Sequence, residues 1–165
     1  MIIKYKSNHY ADNLTTPISI FKKCEKIWNV KCTFDVCATK NTTKCSRYYS
    51  KPDGLKQEWN HSCIWCNPPH SQTGKWVRYA YEQWRKYNNK IVMLLPVNVL
   101  TANYFTKYAM PYIKFQKKMV LSRINFLNPR TNKPSKYNSV NGYMTIFYDT
   151  RSKYEKLQKE ITEYT

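Results

Sequence analysis

Glycine is scarce: the 165 residues contain 3. Few positions can therefore take a positive φ cheaply, and no glycine-rich phosphate loop is present. Acidic residues are also few, 10 against 28 Lys and Arg, which leaves a net charge of +18 and a pI near 9.7. That excess is the electrostatic footprint of a nucleic-acid-binding protein, weighed against a merely solvated basic surface. Apolar runs are short. None approaches the ~18 residues of a membrane span, so no membrane partner is expected. The start, Met1-Ile2-Ile3-Lys4, lacks the apolar region and cleavage site of a signal peptide, and the expected location is a reducing cytoplasm. The 6 Cys then read as thiols. Cys63-x-x-Cys66 with Cys37 and Cys45 lacks a second close pair and sits in an apolar strand, so buried small hydrophobes are the reading and no metal is expected.

Against these absences stand 15 Tyr and 5 Trp, faces on which bases can stack, although most at helical spacing belong to a core. The length suits one domain burying about two-thirds of its surface. Residues 1–14 are polar and basic and read as an arm, and 15–165 as the domain. Thr16 then Pro17 reads as a helix cap and first helical residue, with Ile20, Phe21, Cys24, Ile27 and Trp28 on one face. Strands are expected at Cys32–Ala38, Ser62–Cys66 and Lys90–Pro96, with a short extended piece at Tyr48 and Tyr49. Further helices are expected at Lys75–Tyr87 and Thr101–Met110. Phe115–Phe126 and Gly142–Tyr148 read as strands able to pair, and Ser152–Tyr164 as a closing helix. Their alternation predicts an α/β fold with a mostly parallel sheet flanked by helices.

The most informative stretch is Ile64-Trp65-Cys66-Asn67-Pro68-Pro69-His70. Proline cannot donate to a ladder and biases its predecessor towards extended geometry, so a strand must stop here in a rigid turn. Ligands of open α/β sheets bind at such carboxyl ends. An amide, carbonyls of fixed direction and a flat ring suit gripping an exocyclic amine while stacking on the ring that bears it. A base flipped out of a duplex is the matching ligand. Each piece also has a plain reading: Asn-Pro-Pro as punctuation, and His70 as the cap of the next segment.

The tetrapeptide resembles the (Asn/Asp/Ser)-Pro-Pro-aromatic motif of amino-methyltransferases. Around it stand, in order, Thr15-Thr16-Pro17, Phe34-Asp35-Val36-Cys37-Ala38, Lys44-Cys45-Ser46-Arg47-Tyr48-Tyr49, Asp53-Gly54-Leu55, Trp59, Trp76, Val92-Met93-Leu94-Leu95-Pro96 and Arg123-Ile124-Asn125-Phe126. As an ordered set, from Thr15 to about Phe147, this is similar to the phage-type, Dam-like DNA N6-adenine methyltransferases. The resemblance implies a compact Rossmann-like class I methyltransferase fold and transfer of a methyl group from S-adenosylmethionine to the N6 amine of adenine. The partner it implies is double-stranded DNA with the target base flipped, and the origin viral or phage. It implies a catalytic set of Asn67, Pro68, Pro69 and His70, where the Asn67 oxygen and the Pro68 carbonyl receive the amine hydrogens. It implies donor contacts from Thr16, Pro17, Asp35, Cys37 and Asp53, with Asp35 at a strand end. Phosphate contacts are expected from Arg123 and, in the basic loop 127–141, from Arg130, Lys133 and Lys136. His70 departs from the motif's Tyr, Phe or Trp and offers a smaller face.

Two other classes compete. A protein-glutamine or RNA N-methyltransferase uses the same turn on a similar amine, although the glutamine enzymes usually carry a glycine-rich donor loop and need no basic surface. A non-catalytic nucleic-acid-binding protein on the same fold would treat His70 as a symptom of lost turnover. Donor binding and the identity of the methylated polymer separate the three.

Overall fold

The computed structural model describes residues 11–135, 139 and 141–152. Its centre is the run that reads as a doubly buried strand. Lys90–Pro96 forms strand β4, with its five inner residues sealed from water. Around it lie β1 (Phe34–Ala38), β2 (Arg47–Ser50), β3 (Cys63–Cys66), β5 (Val120–Leu121) and β6 (Tyr143–Tyr148). They form one six-stranded sheet in the order β2-β1-β3-β4-β6-β5. The first four are mutually parallel, whereas β6 runs antiparallel to both β4 and β5. The fold is therefore mixed α/β with a mostly parallel sheet.

Helix α1 spans Ile18–Trp28 and buries Phe21, Cys24, Glu25 and Trp28. Trp28 stacks on Phe147 at 5.4 Å and donates from Nε1 to Thr145 Oγ1 at 2.9 Å, so α1 covers the face bearing Thr145 and Phe147. Helix α2, Thr73–Tyr87, buries Trp76, Val77, Ala80 and Trp84. Trp84 packs on Tyr148, one residue out of phase with Phe147, so α2 covers the opposite face. The short α3, Asn103–Tyr108, packs mainly on α2. Burial on both faces is why the central strands read as unbroken apolar runs.

Glycine scarcity shows at the helix ends. Asn29 closes α1 and Asn88 closes α2, both in the left-handed region at φ 53° and 52°. Asparagine tolerates that region better than other residues with a Cβ, and here it does what glycine usually does. Glycine is kept for close approach: a Cβ on Gly54 would stand 2.0 Å from the Val36 carbonyl oxygen and 2.6 Å from the Trp76 ring.

Three expectations change. Helix α1 begins at Ile18, and the Thr16 hydroxyl caps nothing; the carbonyl of Pro17 instead receives the Ile20 and Phe21 amides. Phe115–Phe126 is not one strand. Lys117–Met119 turns as a 3₁₀ helix, two residues pair with β6, and the exposed Ser122 and Arg123 leave the sheet. Its local alternation of apolar and polar residues imitates a strand, but neighbours pair with only two of its residues. The helix expected at Thr101–Met110 is present but shortens to α3, and the 3₁₀ turn Val97–Thr101 precedes it. The expected closing helix lies, beyond Ser152, outside the described residues.

Candidate active site

The chain runs outward from β1 to β2, then crosses back to lay β3 on the other side of β1. Strand order reverses at the β1/β3 boundary, and the crevice beyond the carboxyl ends there is where open α/β sheets bind ligands. The register pairs Asp35 with Trp65. Side chains alternate, so Asp35 and Trp65 share a face, and Cys37 and Asn67 follow two residues on. That face carries α1, because Trp65 meets Phe21 edge-on at 5.1 Å. Leu14, Thr15 and Thr16, just before α1, close the crevice from that side. The resulting cleft is lined by Leu14, Thr15, Thr16, Asp35, Cys37, Thr42, Lys44, Lys51, Trp65 and Asn67. Three expected donor residues, Thr16, Asp35 and Cys37, thus meet there with Asn67.

Asp35 is the second residue of β1 rather than its last, and also the last regular rung against β3. It is 2% exposed. Its Oδ1 accepts from the Cys37 amide at 3.1 Å and its Oδ2 from the Lys44 amide at 3.0 Å. A carboxylate has about four lone-pair sites, so each oxygen can still accept. Burial pushes its carboxyl up to about 6, against the two amides and the charges of Lys44 and Lys51. Lys44 Nζ spans the cleft mouth, donating to Thr15 Oγ1 at 3.0 Å and the Thr42 carbonyl at 2.9 Å. Burial lowers its ammonium pKa, although Asp35 opposes this. The Cys37 thiol is raised by burial and stays protonated, a small apolar wall rather than a nucleophile.

A second cleft adjoins the first, lined by Asp12, Leu14, Lys51, Asn67, Pro68, His70 and Phe126. Leu14, Lys51 and Asn67 belong to both clefts and form the wall between them. Asn67 Nδ2 donates to Thr16 Oγ1 at 2.8 Å, while its Oδ1 is buried with no partner. Among the described side chains Trp76 Nε1, Asn89 Oδ1 and Arg151 Nε are buried in the same way, but none of those residues lines either cleft. An orphaned buried acceptor costs about 1–3 kcal/mol, so this oxygen in a cleft wall is open to a donor from water or a ligand.

His70 opens the 3₁₀ turn after Pro69 and is exposed to solvent. Its Nε2 lies 2.8 Å from the Tyr143 hydroxyl. Phe126 meets Tyr143 edge-on at 5.1 Å and His70 at 6.2 Å. Crowding by these neighbours lowers the imidazole pKa; Asp12 opposes the shift and Lys51 adds to it. The ring is therefore neutral at pH 7 and pinned at one edge by the Tyr143 hydroxyl. Burial pushes the Tyr143 phenol up to about 12, with Ser139 opposing, so it remains a donor.

The other expected site residues fall outside the clefts. Pro17 is the N-terminal flank of α1. Pro69 precedes the 3₁₀ turn, and its carbonyl receives the Gln72 amide at 3.0 Å. Asp53 is exposed and accepts from Ser50 Oγ, in keeping with Pro-Asp-Gly as an ordinary turn. Arg123, Arg130 and Lys133 are exposed, and Lys136 lies outside the described residues. The loop's start is fixed: Thr15 and Leu127 exchange both backbone hydrogen bonds at 2.9 Å, and Asn128 Oδ1 receives the Arg130 amide at 2.9 Å.

Phe126, Tyr143, Lys44 and Lys51 enter the site although no role for them follows from the sequence. Phe126 and Lys44 lie within the family-like stretches and carried that signal; Tyr143 and Lys51 reach the site by tertiary packing alone. Segment 12–16 straps the clefts shut. Lys51 Nζ donates to the Asp12 carbonyl, and the Asp12 carboxylate takes the Ser71 amide at 3.2 Å and its hydroxyl at 2.5 Å.

Comparison with known sequences bears on this arrangement. Residues 5–163 match the model of a family described as DNA N-6-adenine-methyltransferase (Dam). A DNA N-6-adenine-methyltransferase of Haemophilus phage HP1 is 28% identical over 151 residues, which cover 89% of this chain and 84% of the phage protein. One from Escherichia phage T1 is 30% identical over 110 residues, 63% of this chain and 45% of that protein.

Proposed function

This chain belongs to the DNA N-6-adenine-methyltransferase (Dam) family, and on that premise we propose that it methylates the N6 amine of adenine in DNA, with S-adenosylmethionine as donor. The observation that carries the reading is the unpartnered Asn67 Oδ1 in the wall between two clefts. On one side, Asp35 offers a buried carboxylate with free lone pairs, and Lys44 and Lys51 offer ammonium groups. That set complements a molecule carrying both an ammonium and a carboxylate. The open space between them is about 20 Å³, room for one water, so a nucleoside-sized donor requires the Lys44 side chain and residues 12–14 to withdraw. Strand-order reversal at β1/β3, together with a single reversed strand β6, supports a Rossmann-like methyltransferase fold.

When bound, the donor supplies an electrophilic methyl group on a sulfonium. The remaining chemistry is the chain's. His70 presents a neutral face to an extruded adenine, with Phe126 behind it. Asn67 Oδ1 and the Pro68 carbonyl accept the two amine hydrogens. The amine lone pair is delocalised into the purine ring, and acceptors held out of the ring plane favour a more tetrahedral nitrogen. They also stabilise the positive charge that grows on it, which is preorganised electrostatic catalysis. No strong base is needed first, because the methylated cationic amine loses its proton readily to water. Arg123, Arg130 and Lys133 hold phosphate, and the excess of positive charge supplies affinity without sequence.

Asn67→Ala tests the reading. Single-turnover methylation of double-stranded DNA should fall by ~10²–10³, the usual effect of losing one preorganised polar group, while donor affinity measured by calorimetry stays within about threefold. Wild-type turnover in this variant would return the Asn-Pro-Pro turn to punctuation.

A further inference from the structure

We propose that Thr16 is a positioning residue, whose hydroxyl tethers the Asn67 amide by accepting from Nδ2 and so leaves its oxygen towards the reacting amine. By sequence Thr16 is either a helix cap or a donor contact. Its hydroxyl caps nothing; it receives Asn67 Nδ2 at 2.8 Å across 51 residues of sequence. This inference rests on the catalytic reading of Asn67 and deepens it.

The polarity of the amide decides whether the site works. An Asn side chain is nearly symmetric in shape, yet one end accepts and the other donates two hydrogens. With the nitrogen towards the target, two N–H groups would face the two N–H groups of the amine, and no lone pair would be drawn out of conjugation. A partner at the far end must therefore accept. The Thr16 hydroxyl does so in the structure, and Oδ1 is left as the unpartnered group.

Thr16 is itself held on both sides. It is 3% exposed. Pro17, with φ at −57°, follows it and restricts it to extended geometry. Thr15 precedes it and is clamped by the reciprocal 2.9 Å bonds to Leu127. The hydroxyl thus stands on backbone that the sheet-end crevice and the Leu127 bridge jointly define. Supporting groups of this kind keep a catalytic side chain in its productive geometry.

Thr16→Val keeps the shape and removes the acceptor, leaving the amide N–H groups unpaired and the side chain free to turn. The single-turnover rate on DNA should fall about 10- to 100-fold, with donor affinity nearly unchanged, while the unpaired amide lowers the thermal midpoint by about a few degrees. Thr16→Ser should restore the rate to within about threefold. Adding Thr16→Val to Asn67→Ala should cost nothing more, because the two act through one group. A direct readout needs no Thr16 variant: in the wild-type protein one Asn67 side-chain amide proton should be protected from solvent exchange, its resonance identified by its loss in Asn67→Ala.

Wild-type rate in Thr16→Val, beside a dead Asn67→Ala, would overturn the positioning role and leave the catalytic reading standing. A Thr16→Val loss carried entirely by donor affinity would return Thr16 to the donor site, and two freely exchanging Asn67 amide protons would equally refute the bond. An active Asn67→Ala would instead remove the catalytic reading itself, whatever Thr16 does.

Discussion

Donor affinity should depend on pH through Asp35, and in the opposite direction from the stability of the free protein. Burial lifts the Asp35 carboxyl from an ordinary 3.8 to about 6. If the donor's cationic group pairs with the ionised carboxylate, affinity follows the ionised fraction. That fraction is about 0.9 at pH 7 and about 0.09 at pH 5, so affinity should fall about tenfold, or about 1.4 kcal/mol. The free protein behaves inversely. A carboxyl whose folded pKa is raised favours folding below its unfolded value, and that contribution is lost as pH rises through about 6. Between pH 5 and 7 the loss is about 1.3 kcal/mol by the same arithmetic. The two slopes nearly cancel in the donor complex, so its thermal midpoint should be almost flat where that of the free protein falls. His70, in the adjoining cleft, also titrates below neutrality, which makes the control Asp35→Asn. Calorimetry with donor alone should give that variant weaker binding and no tenfold slope. A wild-type affinity flat from pH 5 to 7, or an equal slope in Asp35→Asn, would refute a donor contact at Asp35.

Three further outcomes are expected. Replacing Arg123, Arg130 and Lys133 together by Ala should reduce the slope of log affinity for duplex DNA against log salt by up to about 3, close to 0.9 per phosphate contact, as read by fluorescence anisotropy; an unchanged slope would move the contact surface elsewhere. Tyr143→Phe should untether the His70 ring and raise the apparent KM for DNA by about 3- to 10-fold, the worth of one hydrogen bond, with donor affinity unaltered in calorimetry. Gly54→Ala should destabilise the fold by about 3 kcal/mol, because the added Cβ meets the Val36 backbone and the Trp76 ring; chemical denaturation measures it.

The parts legible in the sequence are those written in local pattern. Lys90–Pro96 is a strand to the residue, because the six apolar residues Ile91–Pro96 that follow Asn88-Asn89-Lys90 have few other outcomes. The stop after Cys66 follows from two prolines alone. Thr16 was ambiguous for a physical reason: Thr before Pro is equally good as a helix cap or as an extended residue with its hydroxyl free, and its partner lies 51 residues on. The Tyr143 tether is further still, 73 residues from His70, and leaves no periodic trace. The overextended strand at Phe115–Phe126 fails differently. Two-residue alternation is necessary for a half-buried strand, but pairing depends on what lies alongside, and β6 accompanies it only at Val120 and Leu121.

The lone acceptor on Asn67 also limits what the site can do twice. On the proposed assignment, an unmodified adenine amine gives one hydrogen to Asn67 Oδ1 and the other to the Pro68 carbonyl. The methylated amine has a single hydrogen, and its new methyl group must point at one of the two oxygens or back into the donor cleft. One acceptor is then desolvated without a partner, at about 1–3 kcal/mol. On that assignment the product is held about 5- to 150-fold less tightly than the substrate, and a second methyl transfer lacks one of the two hydrogens that would orient the amine. Monomethylation and ready release of the finished base are thus two readings of one count of hydrogens.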